Sequence, residues 1–227
     1  MDIPITQDPD FPGYDLSGGD PFDPACLHRR AEENPADWKP WLRLGYLLVQ
    51  RCEPEAIPAL ERAIVLAPDN GLAQYLLGRA FGHAGDYARA ASAMEAAVMR
   101  RPDYHLAWSI LGAIRLQSAQ IDEALVAWFH VVRLAPTGDA YWSIARCFIA
   151  QGRTAEATVA LEEAVRLKTN HTVAHRALAY LGRLRGEPDV ERRHLLRLFE
   201  LDEDMARRVV DDFARKPVSS VLTWMRR

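Results

Sequence analysis

Small residues and prolines recur through this chain at a near-constant step, and that recurrence restricts its fold more tightly than anything else in the sequence. Gly45, Gly78, Gly112, Ala145 and Ala179 succeed one another at steps of 33, 34, 33 and 34. Ala56, Ala90, Ala124 and Ala157 follow at steps of 34, 34 and 33, and Ala63, Ala97, Val131 and Ala164 keep the same steps. Pro68, Pro102 and Pro136 close the first three repeats. A period of this size belongs to a small supersecondary unit that cannot bury its apolar face alone and buries it against its neighbours. The 49% hydrophobic content of the 227 residues is therefore expected to form one continuous stacked core.

The punctuation within each repeat predicts two antiparallel helices. The pairs read as 38–51 with 54–67, 71–84 with 87–100, 105–118 with 121–134, 138–151 with 154–167, and 172–185 with 188–200. Gly85 and Gly152 suit the helix-ending position between partners, and Ala-Pro or Arg-Pro stops the second helix in three repeats. A glycine inside a helix costs about 1 kcal/mol relative to alanine, so Gly45, Gly78 and Gly112 imply that another backbone must come close. The alanine slots of the partner helix are the expected facing surface, surrounded by Leu44, Leu77, Leu111, Leu60, Met94, Trp128 and Leu161, with Trp41 and Trp108 as further packing residues.

A large residue, Leu-Gly three residues on, Gly before the turn, then Ala, a large residue, Ala and Pro is a pattern that resembles the tetratricopeptide repeat. Leu77-Gly78, Gly85, Tyr87, Ala90, Ala97 and Pro102 match it, as do Trp108, Leu111-Gly112, Ala124, Trp128 and Pro136. The first repeat is one residue short at Cys52 to Pro54, and the fifth has Glu191 and Leu198 in alanine slots and Glu203 in place of proline. The resemblance implies an all-α, right-handed superhelical solenoid of antiparallel helix pairs. Its repeats would be 38–70, 71–104, 105–137, 138–171 and a degenerate 172–204. It would be flanked by an acidic extended arm over 1–23, an N-terminal capping helix within 24–37, and a C-terminal capping helix and tail over 205–227.

The ends differ in charge. Met1 to Pro24 holds six Asp and no Lys or Arg, whereas Thr172 to Arg227 holds 12 basic and 9 acidic residues. Asp23 and Pro24 form an N-cap and first helical position, with Leu27 and Ala31 facing inward. The arm carries Phe11, Tyr14 and Phe22 and is a candidate to lie in the groove of its own or a neighbouring copy. The tail carries Trp224 and Met225 beside two arginines and is a candidate cap, or a partner-binding or dimerising segment. A net charge of −3 gives no drive toward nucleic acid or an anionic membrane. Three scattered cysteines, no apolar run of membrane-spanning length and no basic, apolar leader suggest a cytoplasmic protein. Only three of the 28 basic residues are lysine, which points to a GC-rich, bacterial genome.

In the family resembled, first helices line a concave face. Residues six before, three before, one after and four after each small slot share one side of a helix. The candidates for partner binding are Lys39, Tyr46, Tyr75, Arg79, Trp142, Arg146, Arg176, Tyr180 and Arg183, with Leu42, Val49, Leu72, Asp139, Ile149 and Val173 among their neighbours. Arginine pairs with carboxylates through a planar fork, and Tyr and Trp provide contact area at little entropic cost. An acidic, hydrophobic segment of another protein is the ligand this composition suits. Leu42, Tyr46 and Leu76 stand where relatives that grip a chaperone's C-terminal carboxylate carry polar clamp residues, so that ligand is not expected.

No phosphate-binding loop, dinucleotide fingerprint, nucleophile elbow or zinc signature occurs. His171 and His175, four apart, lack a third ligand and read as solvent-exposed capping residues. The expectation is a protein without catalytic residues, cofactor or metal, acting as an adaptor, assembly factor or chaperone-like module. A self-assembling scaffold joined through its terminal segments and a regulatory subunit of a separate enzyme are the alternatives.

Overall fold

The computed structural model describes residues 23–215, in which twelve α-helices and no strand occur. The chain divides into two compact bodies, one ending at Ile114 and the other beginning at Arg115. The acidic arm before Asp23 and the tail after Arg215, with Trp224 and Met225, lie outside the described residues.

In the first body, α1 (Pro24–Glu33) is capped by Asp23, whose carboxylate accepts hydrogen bonds from the Ala25 and Cys26 amides at 3.2 and 3.1 Å. Its Leu27 and Ala31 are buried, as the spacing predicts. Helices α2 (Trp38–Gln50) and α3 (Ala56–Leu66) form the first hairpin, and α4 (Gly71–His83) and α5 (Tyr87–Arg100) the second. Helix α6 (His105–Gln117) carries the chain out of this body. Side chains of Asp37, Asn70 and Asp86 cap α2, α4 and α5 by accepting from backbone amides, which satisfies donors that a helix cannot satisfy itself.

The second body contains α7 (Ile121–Leu134), the hairpin of α8 (Gly138–Ala150) and α9 (Thr154–Leu167), the hairpin of α10 (Thr172–Arg185) and α11 (Pro188–Leu201), and α12 (Glu203–Arg215). Asp202 caps α12 by accepting from the Met205 amide at 2.9 Å. The alanine slots flank the seam inside each hairpin, and Ala56, Ala63, Ala90, Ala97, Ala157 and Ala164 are fully buried.

What fills the glycine notches differs from the expectation of backbone against alanine. A Cβ placed on Gly45 would collide with Cγ of Leu60, and one on Gly78 would lie 2.8 Å from Cε of Met94 and 3.2 Å from the Ala90 carbonyl oxygen. The large residue between the two alanines therefore enters the notch, and the alanines let the helices come near enough for it to do so. In the fifth repeat the small slot is Ala179 and the close approach moves to Gly182. A Cβ there would meet the backbone nitrogen and Cα of Glu191 at 2.7 and 3.1 Å. Glu191 thus occupies an alanine slot without breaking the hairpin, because its carboxylate turns out to accept from Arg183 at 3.2 Å.

Five short turns among the described residues each hold one left-handed residue. Gly85, Gly152 and Gly186 have φ of 78°, 77° and 69°, and Cys52 and Ala119 have φ of 56° and 59°. The first repeat is short in sequence, yet Cys52 takes up the same conformation as the glycines. A side chain in this region is disfavoured by roughly 1–2 kcal/mol, partly offset by the greater unfolded-state freedom of glycine. Ala119→Gly should therefore raise stability by about 0.5–1 kcal/mol, read as a higher urea midpoint at unchanged slope.

Candidate ligand-binding face

On the first body, Lys39 is exposed near the start of α2 and Tyr46 is half-buried on the same helix. Tyr75 is 3% exposed and packs on Tyr104 with ring centres 4.8 Å apart. The Arg79 guanidinium lies 5.9 Å from the Tyr75 ring centre, and Arg101 covers Tyr104 at 4.6 Å. Tyr75 thus supports Arg79 from beneath. Leu42, Val49 and Leu72 are buried as well, so on this body places three before, four after and six before the slot serve packing as much as display.

On the second body, Trp142 and Arg146 are one turn apart on α8 and both half-buried. The Trp142 ring lies 6.1 Å from that of His171. Asp139, exposed at the start of α8, holds Lys168 at 3.1 Å and His171 at 3.3 Å. Arg176 is half-buried on α10, and burial, the dominant cause, lowers its pKa.

Tyr180 and Arg183 have a different fate. The Tyr180 hydroxyl donates to Asp212 of α12 at 2.8 Å, and its ring meets Phe213 edge-on at 5.1 Å. Arg183 stacks on Phe213 at 4.6 Å, donates to the Phe213 carbonyl at 3.2 Å and pairs with Glu191. Burial first, and the Asp212 carboxylate second, raise the Tyr180 pKa. Phe213 follows Tyr180 by one repeat length, so α12 stacks on α10 in the register of one more first helix. Only the aromatic place keeps the period here, because Asp212 stands where the small residue would fall.

In the row directly after each small slot, Tyr46, Arg79 and Arg146 are half-buried and Ala113 is exposed, whereas Tyr180 is closed over. His171 and His175, expected to face solvent, are 5% and 6% exposed. They are buried because α10 begins beneath the end of α9, where the Thr169 carbonyl meets His175 Nε2 at 3.1 Å. Among the described residues no group of three metal-ligating side chains converges, and no helix is long and apolar enough to cross a membrane.

Stacked antiparallel hairpins with a glycine or alanine notch in each first helix define an α-helical repeat protein. The matching family models sharpen that class: one described as tetratricopeptide repeat covers residues 54–98 and 79–139, and another of the same description covers 138–171. The chain belongs to the tetratricopeptide repeat family. No curated protein matches it. Among solved structures, YrrB, described as a tetratricopeptide repeat protein with an unusual peptide-binding site, is 19% identical, covers 83% of this chain and 100% of its own, and superposes with a TM-score of 0.73. MamA from Desulfovibrio magneticus RS-1 is 24% identical, with coverage of 72% and 96% and a TM-score of 0.64. PilF of Pseudomonas aeruginosa is 14% identical, with coverage of 83% and 87% and a TM-score of 0.67. At these identities the likeness establishes the fold, an all-α array of tetratricopeptide type.

Proposed function

We propose that this protein is a non-catalytic adaptor or assembly factor that holds an acidic, hydrophobic segment of a partner protein on its first-helix faces. The observation that carries this reading is the pair Trp142 and Arg146, an aromatic surface and a guanidinium one turn apart and both accessible. Arg176 on the next first helix adds a second charge. On the other body Tyr46, Arg79 and Lys39 offer the same chemistry. Tyr75 and Tyr180 act by buttressing Arg79 and closing the end of the face. YrrB, whose site binds peptide, supports a peptide ligand for this fold.

The test is affinity capture with the wild type beside a Trp142→Ala, Arg146→Glu variant of unchanged circular dichroism. A partner retained by the first and lost by the second identifies the ligand. Its affinity should fall at least about tenfold, the scale of a buried Trp or Arg hot spot, and more at low salt. Equal capture by both proteins would end this reading.

Self-assembly is the second reading, favoured by apolar outer faces of the second helices: Val126, Phe129 and Val159 are 53%, 50% and 63% exposed. Concentration-dependent light scattering separates it from a monomeric adaptor.

A further inference from the structure

The histidines of the fifth repeat stand where the other repeats carry an unrelated pair. By register, His175 takes the place of Trp41, Gln74, Trp108 and Tyr141, and His194 that of Ala59, Ala93, Ala127 and Ala160. Trp41 and Ala59 line one cavity in the first hairpin, and His175 and His194 line one of about 470 Å³ in the fifth. The facing places at the hairpin seam have therefore been changed together.

His175 and His194 are 6% and 7% exposed, with their Nδ1 atoms 3.0 Å apart. The hydrogen positions follow from chemistry. The Thr169 carbonyl, 3.1 Å from His175 Nε2, can only accept, so that nitrogen carries the hydrogen. Neutral His175 then presents a lone pair at Nδ1, and His194 must donate from its own Nδ1. One proton bridges α10 and α11, and a proton added at His175 Nδ1 would set two donors against each other. The surroundings oppose charge. Arg193 and Arg197 of α11 flank the pair, Glu200 is the carboxylate lining the cavity, and Asp139 of α8 is engaged by Lys168 and His171.

We propose that the fifth repeat is an acid-operated latch, in which protonation of the His175–His194 pair opens the α10–α11 hairpin while the α8–α9 hairpin stays closed. Burial first, then the coupling to His175 and the charge of Arg193, push His194 down to about 4, and burial likewise lowers His175 against the raising effect of the Thr169 carbonyl. Between about 6.5, the ordinary histidine value, and the depressed value, the open hairpin binds a proton that the closed one does not. Closure is thus fully supported above that ordinary value and weakens as pH falls. For His194 alone the opening constant rises about 25-fold from pH 7 to pH 5. His171, also lowered chiefly by burial, adds to the slope without touching the bridge. Opening would also displace Arg176 and Arg183, a consequence that rests on the proposed ligand face, whereas the latch itself does not.

The test is hydrogen exchange on the full chain at pH 7 and pH 5, corrected for intrinsic rates, with histidine side-chain titration by NMR. In the wild type, protection of α10–α11 amides should fall about 25-fold or more relative to α8–α9. The His175→Trp, His194→Ala variant, which carries the pair found in the first repeat, should lose only the smaller share that His171 supplies, and His171→Ala should lose less than the wild type but keep the roughly 25-fold fall that His194 alone accounts for. Equal loss in the wild type and the double variant, or parallel loss in both hairpins, overturns the proposal. Should the double variant fail to fold, the wild-type titration decides alone: His194 titrating near 6.5 or above overturns it.

Discussion

Leu60→Ala should lower stability by about 2–5 kcal/mol, the cost of emptying a sealed core position. Leu60 is fully buried in the first hairpin and its branch fills the notch at Gly45. Gly45→Ala alone should cost about 1–3 kcal/mol, because its methyl would require Leu60 to leave its rotamer, against roughly 1 kcal/mol gained in helix propensity. The two changes should not add. With Leu60 truncated, the new methyl at 45 enters vacated space, so the double variant should be more stable than the sum predicts by at least about 1 kcal/mol. Urea denaturation of the four proteins closes the cycle. Strict additivity would mean that the notch and the leucine do not meet, contrary to the packing of this hairpin.

Gly182→Ala should behave in the opposite manner. It too should destabilise, by about 1–3 kcal/mol, but the atoms in its way are the nitrogen and Cα of Glu191. Backbone cannot rotate aside, and trimming the Glu191 side chain leaves it in place. Glu191→Ala should therefore give no relief to Gly182→Ala, and should carry only the small cost of a partly exposed ion pair with Arg183, about 0–1 kcal/mol. Relief by Glu191→Ala in denaturation measurements would show that the contact is made by the side chain. Together the two experiments distinguish a notch filled by a side chain from one filled by a helix backbone.

Much of the fold is legible because the period repeats its own evidence. Glycine or alanine at the slot, alanines a turn apart on the partner, and proline after it are each weak signals, yet their coincidence at one near-constant step admits few architectures. The Asp23 cap with Pro24 and the Asp202 cap of α12 could be read locally because capping depends on residues two or three positions away. The candidate face was legible only as far as helix geometry reaches. Spacing shows that Tyr46, Tyr75, Arg79, Trp142, Arg146 and Tyr180 lie on corresponding sides of their helices. Which of those sides another helix covers depends on chain distant in sequence, as Phe213 on Tyr180 and Tyr104 against Tyr75 demonstrate.

The histidines make the same division at a single site. By itself the sequence determined that this chain stacks helical hairpins in a fixed register, because periodic small residues act through local helix geometry and repeat at every step. Only the tertiary structure decided that the Nδ1 atoms of His175 and His194 meet at 3.0 Å between α10 and α11, that Glu191 brings its backbone to Gly182, and that α12 closes over Tyr180 and Arg183. Each of these depends on how closely two helices approach and on what lies across the seam, and those distances are set by packing of the whole hairpin.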